Sequence, residues 1–394
     1  MPPLSPEDVV QAVQAIPGLF PRHVQLRAQE IGNGNMNFVF RVKDVSGEPG
    51  FSVIVKHTPP YMRSVGAAWP LTSERIRLEH DMLVVQHSVC PNCVPTVYHF
   101  DAVRRVLVME DLSSHRILRD ALIERRPYPG WARHVGTFLS RMWWETSAFS
   151  RSGSEIHQLR AQFANSELVQ ITSDFVFTYP FMPHAMNRFS PGLNGATQAL
   201  WENQVLKEAV RTLKAQFNAD GDALIHGGLH TGSIMVADGD TKVIDPEFGF
   251  YGPIAFDIGL VMANLFLQWC ARVAATPGSP DNAAPLRDVG AVWTAFTTHV
   301  QVWWPNRRPD SDRGTSPADR LDTIWVDALG YAGCEMVRRI IGTSHVADLE
   351  NLEDSAARIR AESLALELGQ WLIIERAHWT DRDEVLARVE SWRI

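Results

Sequence analysis

Residues 224–236 read LIHGGLHTGSIMV and residues 242–248 read KVIDPEF. Each segment has an apolar, β-branched run beside small and polar residues, which predicts strand, tight loop, strand, short turn and strand. The last strand ends in Asp245 and Glu247, separated by Pro246. Strand alternation places both carboxylates on one face, and the proline disfavours ladder pairing, so we expect the pair to face a cavity. Carboxylate oxygens of this kind suit Mg²⁺ bound together with phosphate groups.

The composition indicates a globular protein that acts on small molecules. The chain has 394 residues, of which 45% are hydrophobic and 21% charged, enough for one large or two medium domains with full cores. Its formal net charge is −8 and it has no basic run, so nothing in the charge favours a nucleic acid partner. We therefore expect a small-molecule ligand.

The hydropathy pattern predicts neither a signal peptide nor a membrane segment. Residues 1–20 lack the basic start and apolar core of a secretory signal. The longest apolar run, from Ile258 to Cys270, has 13 residues and includes Asn264 and Gln268, so it is too short and too polar to span a bilayer. We expect a buried helix there, and a cytoplasmic protein without a membrane partner.

The four cysteines are few and scattered, which is typical of a reducing cytosol. Cys90 and Cys93 lie in the sequence CPNC, a spacing compatible with zinc binding or redox chemistry. A structural zinc site needs four ligands, however, and Cys270 and Cys334 do not form a second close pair. We expect Cys90 and Cys93 to be free thiols in a turn before a strand.

The segment HGGLHTGS at residues 226–233, followed by IDPE at residues 244–247, resembles the signature of the 5-methylthioribose kinases. That family is a branch of the aminoglycoside phosphotransferase and choline kinase group, which has a protein-kinase-like fold. The resemblance implies an α+β, two-lobed fold. A small β-rich nucleotide-binding lobe would span residues 1–112, and a larger, mainly helical catalytic and substrate-binding lobe residues 113–394. One residue departs from the pattern, because Gly228 stands where the family has its catalytic aspartate.

Two N-terminal segments are candidates for a nucleotide site. Residues 30–42 read EIGNGNMNFVFRV, a glycine-rich turn before an alternating strand, which on its own fits an ordinary hairpin as well as a phosphate loop. The resemblance favours the phosphate loop. The nucleotide contacts that it implies there are Gly32, Asn33, Gly34, Asn35 and Asn37. A strand predicted over residues 105–112 would end at the hinge between the lobes, where the resemblance places adenine against the backbone of Glu110 and Leu112.

Lys56 ends a strand predicted over residues 51–56. A terminal lysine is usually solvated, but the resemblance implies that this one reaches the α- and β-phosphates and pairs with a glutamate of the following helix. The best candidate partner is Glu79, in a helix predicted over residues 73–85, and Glu74 is the alternative.

Beyond Arg116 the chain has mainly helical periodicity. Helices are predicted over residues 131–147, 201–217 and 363–379, with a short final helix capped by Thr380. Within another apolar helical run, Arg338 and Arg339 need partners, because unpaired buried charge is very costly. Salt bridges to Glu335 or Asp348 would serve. The resemblance implies that the two arginines also reach the sugar hydroxyls and the transferring phosphate.

The resemblance implies ATP-dependent phosphorylation of the anomeric hydroxyl of 5-methylthioribose, a step of methionine salvage. ATP would be held by Lys56 and the phosphate loop, and Mg²⁺ by Asp245, Glu247 and Ser233. The family's aspartate orients the hydroxyl and accepts its proton, and Gly228 can do neither. Homodimerisation is expected from the family alone.

Gly228 leaves three hypotheses. The chain is a kinase that works without the aspartate, since much of phosphoryl transfer is positioning and electrostatics. Alternatively, it is a pseudokinase that binds nucleotide or thiosugar without turnover. The third hypothesis is a kinase-like enzyme for another hydroxyl substrate, with His226, His230 or a nearby water as the base. We place the kinase first, because every other residue of the motif is present.

Overall fold

The N-terminal part of the protein contains an antiparallel five-stranded sheet with strand order β1-β2-β3-β5-β4. The strands are β1 (Leu26–Glu30), β2 (Phe38–Asp44), β3 (Ser52–His57), β4 (Val97–Asp101) and β5 (Val106–Glu110). The computed structural model describes residues 4–21, 23–32, 36–46, 50–63, 66–219, 221–311 and 315–392. Asn33, Gly34 and Asn35 of the predicted phosphate loop lie outside the described residues.

Alternate residues of the sheet contribute to two different cores, because successive side chains of a strand point to opposite faces. Val108 belongs to the core that includes helix α1 (Pro6–Gln14), and the adjacent Leu107 belongs to the main core, which includes helix α2 (Arg75–Val89). Ser5 is the N-cap of α1 and forms a capping box with Asp8. The sheet is therefore covered by a helix on each face.

The remainder of the chain is mainly helical and contains two small sheets. The helices are α3 (Leu118–Ile123), α4 (Trp131–Thr146), α5 (Gly153–Gln162), α6 (Ser166–Phe177), α7 (Asn194–Glu202), α8 (Gln204–Asn218), α9 (Ile254–Ala275), α10 (Ala284–Trp303), α11 (Pro317–Ile341), α12 (Ala347–Glu350), α13 (Ser355–Glu375) and α14 (Arg382–Glu390). The strands are β6 (Arg116–Ile117), β7 (Ala223–Ile225), β8 (Ile234–Ala237), β9 (Asp240–Val243) and β10 (Phe250–Gly252). Strand β8 lies between β6 and β9, while β7 pairs with β10.

Helix α9 is the centre of the helical part and packs against α10, α11 and α13. By length and composition alone it would be able to cross a membrane, but its apolar window is entirely buried inside the protein. The apolar run from Ile258 to Cys270 is therefore a core helix, as predicted.

Several helix boundaries differ from the predictions. The helix predicted over residues 201–217 is two helices, because Asn203 leaves helical geometry and caps α8 by accepting from the backbone N–H of Leu206. The final helix is capped by Asp381 rather than Thr380. Helix α13 begins eight residues earlier than the predicted start, at Ser355. Each difference lies at a helix end, where local capping competes with the periodic pattern.

The prediction that Cys90 and Cys93 are free thiols was wrong. A 3₁₀ turn over Pro91–Cys93 follows α2 and brings the two Cα atoms to 5.4 Å, and the sulfur atoms form a disulfide. The sequence spacing did not show how tightly this turn closes. Cys270 and Cys334 are free and buried.

Two helical glycines differ in the space around them. A Cβ on Gly136 of α4 would lie 2.3 Å from the carbonyl oxygen of Val292 in α10, whereas a Cβ on Gly290 of α10 would meet only Leu386 Cδ1 at 3.5 Å. We expect Gly136→Ala to destabilise the protein by about 1–3 kcal/mol through overpacking. Gly290→Ala should stabilise it by about 0.5–1 kcal/mol, because alanine loses less backbone entropy. Urea unfolding of both variants tests this, and equal midpoints would contradict it.

Candidate active site

A cavity of about 1270 Å³ lies between the N-terminal sheet and the helical part. Its walls come from both parts of the chain. The lining residues that the sequence had singled out are Asn37, Lys56, Gly228, His230, Ser233, Asp245, Glu247, Arg338 and Arg339. Residues separated by up to about three hundred positions therefore share one solvent-connected space. A cavity of this size would accommodate two small ligands together.

Lys56 lies at the centre of the acidic side of the cavity. Its Nζ donates to Glu79 Oε1 at 2.5 Å and also forms a short ion pair with Asp245. Glu79 is thus the partner that was predicted, whereas Glu74 pairs with Arg77. Burial acts to lower the pKa of Lys56, but the charges of Asp245 and Glu79 outweigh it and raise that pKa above its ordinary value. The ammonium group therefore stays protonated.

Asp245 and Glu247 face the same cavity, as predicted, but not for the predicted reason. Asp245 has a left-handed backbone with φ 63°, and a 3₁₀ turn follows over Pro246–Phe248, so strand alternation does not apply. Glu247 is buried, and its Oε2 accepts from Asn37 Nδ2 at 3.0 Å. Burial raises the pKa of Glu247 against the attraction of Lys56.

Asp245 and Glu247 have the donor chemistry of part of a metal site. Over the described ranges, no group of three or more His, Cys, Asp or Glu side chains is arranged to hold a metal ion. Mg²⁺ typically takes one or two protein carboxylates and completes its shell with water and phosphate oxygens. The donor set of Asp245 and Glu247 therefore fits Mg²⁺ that arrives with a phosphate group. Ser233, the third predicted ligand, donates its hydroxyl to the carbonyl oxygen of Gly228 at 3.1 Å.

The buried carboxylate of Asp257 holds the loop after β7 by its backbone. Asp257 accepts from the backbone N–H groups of His226 at 2.6 Å and Gly227 at 2.9 Å. Gly227 has φ 76°, and a Cβ there would lie 2.2 Å from the carbonyl oxygen of Phe248, so this position requires glycine. Gly228 is different, because it is outside the left-handed region and a Cβ would meet its nearest neighbours at 3.9 Å. The loop therefore has room for a side chain at residue 228.

The two histidines of the loop have different surroundings. His226 is buried, with Nε2 2.9 Å from the carbonyl oxygen of Ile244 and Nδ1 accepting from the N–H of Gly228 at 3.3 Å. Burial lowers its pKa to about 4. His230 lines the cavity, with Nδ1 3.2 Å from Ser233 Oγ. Burial and the nearby Arg119 lower the pKa of His230 well below its usual range. Both rings are therefore neutral near pH 7, and His230 is the one on the cavity wall.

Arg338 and Arg339 form the opposite wall. Both bind Glu335, with Arg338 Nε 2.6 Å from Oε2 and Arg339 Nε 2.7 Å from Oε1. The alternative partner Asp348 instead lies 3.3 Å from Arg119. Burial lowers the pKa of Arg339 to about 10, which still leaves the guanidinium charged at neutral pH.

Some predicted residues do not reach the cavity. Within the described part of the chain, Gly32, Glu110 and Leu112 are not among the lining residues. The backbone N–H of Glu110 donates to the carbonyl oxygen of Thr96 at 2.9 Å, and the carbonyl oxygen of Leu112 accepts from His115 at 2.9 Å. These backbone groups are engaged within the protein.

Sequence reasoning missed Arg75 and Arg119. Arg75 is fully buried beside Glu247, and Arg119 lines the cavity. The four-residue spacing between Arg75 and Glu79 places both on one face of α2, a signal that would have connected Arg75 with the site. No comparable signal distinguishes Arg119.

Comparisons with known proteins show that the chain is similar in sequence to phosphotransferases. Residues 27–291 match the model of the phosphotransferase enzyme family. The methylthioribose kinase of Pectobacterium carotovorum is 40% identical over 393 residues, covering 98% of this chain and 97% of that protein. The methylthioribose kinase of a Geobacillus species is 42% identical over 371 residues, covering 93% and 91%.

This chain belongs to the methylthioribose kinase family. The family resemblance and the α+β phosphotransferase fold that it implied are thereby confirmed. Among solved structures, a choline/ethanolamine kinase family protein from Mesorhizobium loti aligns with a TM-score of 0.47 at 12% identity, over 98% of this chain and 99% of that one. An aminoglycoside-3'-phosphotransferase of type VIII aligns with a TM-score of 0.39 at 16% identity, over 83% and 98%.

The buried neutral state of His226 predicts acid sensitivity of this kinase-family fold. Its pKa is about 4 when folded and ordinarily 6.5, so the unfolded chain binds a proton that the folded chain excludes between these values. Stability should therefore fall as pH falls from 6.5 towards 4, and this residue should account for about 2 kcal/mol at pH 5. Urea unfolding between pH 7.5 and pH 5 should show a shallower pH dependence in His226→Gln. The control is His157→Gln, at an exposed position, and equal slopes in the two variants would refute the assignment.

Proposed function

We propose that this chain is an ATP-dependent kinase that phosphorylates methylthioribose on its anomeric hydroxyl, in the methionine salvage pathway of the cytoplasm. The observation that carries the proposal is a single cavity in which Lys56, held by Glu79 and Asp245, faces Arg338 and Arg339. Near-full-length relatives named methylthioribose kinase support this acceptor. Homodimer formation stays a prediction.

In this proposal the nucleotide lies on the Lys56 side of the cavity. Lys56 binds the α- and β-phosphates, and the loop over residues 32–37 covers the phosphates with its backbone N–H groups. Adenine would lie near Glu110 and Leu112, outside the residues that line the cavity and without the Glu110 N–H and the Leu112 carbonyl oxygen, which are bonded within the protein. The lobe over residues 1–112 supplies these groups, and the lobe over residues 113–394 supplies the acceptor side.

Asp245 and Glu247 would hold Mg²⁺ together with the nucleotide phosphates, with Ser233 nearby. When bound, the ion neutralises negative charge on the phosphate groups. The protein's own part is to keep the two carboxylates apart and oriented. Lys56 contacts Asp245, and Asn37 and Arg75 contact Glu247.

The acceptor lies on the other side of the cavity. Arg338 and Arg339 are fixed by Glu335 and present cationic donors to the sugar hydroxyls and to the transferring phosphate. The neighbouring wall is apolar, which suits a methylthio substituent. Its side chains include Met62, Trp69, Phe175, Met186 and Phe189.

Gly228 limits the rate of the proposed reaction. A carboxylate here would orient the hydroxyl and accept its proton, and general base catalysis contributes about 10²–10⁴-fold. His226 does not replace it, because the ring is buried and both nitrogens are engaged. His230 lines the cavity and is the loop's remaining imidazole.

We expect Gly228→Asp to raise kcat for methylthioribose at least about 100-fold, because the backbone at residue 228 accepts a side chain without strain. The matched control is Gly228→Asn, which has the same shape but no basic carboxylate and should not accelerate the reaction. A coupled ADP-release assay measures both. If the two variants behave alike, the missing carboxylate is not what limits turnover.

A second candidate function is binding of nucleotide and thiosugar without turnover, and the absence of a carboxylate at Gly228 favours it. Asp245→Ala separates the two functions. In a kinase, it should lower the remaining phosphate transfer at least about tenfold, because one of two carboxylates for the metal is lost. A protein that only binds its ligands shows no phosphate transfer before or after the substitution. Calorimetry would still detect the binding of its ligands. If neither ATP nor methylthioribose binds, both functions are excluded.

The third hypothesis, another hydroxyl acceptor, is favoured by the position of His230 on the cavity wall. It predicts an activity that His230→Ala abolishes and that an assay with methylthioribose does not reveal.

A further inference from the structure

Arg75, at the first position of α2, is a fully buried arginine whose contacts extend beyond Glu247. Its Nη2 donates to the carbonyl oxygens of Met36 at 2.9 Å and Tyr61 at 3.2 Å, and its Nη1 donates to that of Thr72 at 2.7 Å. Met36 comes from one segment, next to strand β2, whereas Tyr61 and Thr72 come from a second segment, in which Tyr61 forms a β-bridge with Pro70. One guanidinium group therefore holds the two segments together.

The third nitrogen of the Arg75 guanidinium, Nε, faces the acidic side of the cavity. Its Nε is 3.3 Å from Asn37 Oδ1 and 3.5 Å from Glu247 Oε2. Asn37 closes the network, since its Nδ2 donates to the same Glu247 oxygen at 3.0 Å and its Oδ1 accepts from Thr58 at 2.9 Å. A buried network of this kind allows little independent movement of its members. The positions of Asn37 and Glu247 thus depend on Arg75.

The part of the second segment over residues 66–72 extends to the acceptor side of the cavity. The ring of Trp69 lies 6.1 Å from that of Phe175 in α6, and both side chains line the cavity. The backbone N–H of Thr72 donates to Glu167 in α6 at 2.9 Å, while its carbonyl oxygen accepts from Arg75. A ligand that contacts Trp69 and Phe175 therefore touches the segment that Arg75 binds.

We propose that Arg75 is a positioning residue that couples acceptor binding to nucleotide binding. This inference rests on the function proposed above, in which the acceptor lies beside Trp69 and the nucleotide beside Asn37. An acceptor that fixes Trp69 and Thr72 also fixes Met36 and Asn37 through the shared guanidinium, so the nucleotide then binds with less loss of conformational entropy. Because the two binding equilibria are linked, each ligand raises the affinity of the chain for the other ligand by the same factor.

The role requires arginine rather than a simple positive charge. The planar guanidinium carries donors in a fixed fork and reaches Met36, Tyr61 and Thr72 in different directions. Lysine keeps the charge beside Glu247 but has a single ammonium group, which cannot reproduce this geometry. Arg75→Lys therefore removes the connection and retains the charge.

The test is calorimetry of the full chain with a non-hydrolysable ATP analogue and Mg²⁺, with and without saturating 5-methylthioribose. In the unmodified chain, we expect the acceptor to tighten nucleotide binding at least about fivefold. In Arg75→Lys, the acceptor should tighten nucleotide binding less than about twofold. The Kd of the acceptor measured without nucleotide should stay within about threefold of its value in the unmodified chain. The matched control is Arg272→Lys, another buried arginine bound to a backbone carbonyl, that of Leu122, away from the cavity. It should retain the coupling.

A second variant tests the inference if Arg75→Lys does not fold. Glu167 is exposed, so Glu167→Ala should fold normally and should weaken the coupling by releasing Thr72 from α6. If both ligands bind the unmodified chain without coupling, or if neither variant reduces it, the role of Arg75 is overturned and the proposed function stands. If 5-methylthioribose does not bind at all, the proposed acceptor fails and this inference fails with it.

Discussion

The whole site depends on one ammonium group, that of Lys56, held between carboxylates from distant parts of the chain. Glu79 comes from α2 and Asp245 from the turn after β9. Removing these charges from water costs free energy that their attraction only partly offsets, so the cluster adds little net stability. Loss of the fully buried Glu79 alone would leave Lys56 paired only with Asp245. The cluster's main effect is therefore to fix the N-terminal sheet against the helical part at one place.

The two sides of the cavity carry opposite charge. Lys56 pairs with both Glu79 and Asp245, and Arg75 lies beside Glu247, so three carboxylates share two cationic neighbours before a ligand arrives. On the opposite wall, Arg338 and Arg339 share the single carboxylate of Glu335 and retain a net positive charge. A negatively charged phosphate donor and a neutral sugar would therefore meet between an acidic side, which a bound cation would balance, and a cationic side.

The parts of the site that were predictable from sequence are those fixed by local pattern. The β7–loop–β8–β9 order follows from apolar periodicity, whereas the Lys56–Glu79 pair was implied by the family resemblance and not by the local pattern. The left-handed backbone of Asp245 was missed, because strand periodicity does not report a φ of 63°. Arg75 was missed for another reason. Its partners Met36, Tyr61 and Glu247 become neighbours only when the chain folds, so the one indication in its own helix is the face that it shares with Glu79.

In the proposed function, the site has the charged side chains that would bind both ligands. It lacks a carboxylate base, because residue 228 is glycine. The central claim is that the Lys56 cluster receives the nucleotide while the arginine wall receives the acceptor. A crystal structure of the chain with a non-hydrolysable ATP analogue, Mg²⁺ and 5-methylthioribose tests it most directly. We expect phosphate oxygens within hydrogen-bonding distance of Lys56 Nζ, and sugar hydroxyls within hydrogen-bonding distance of Arg338 or Arg339. A nucleotide bound elsewhere, with Lys56 contacting only Glu79 and Asp245, would contradict it.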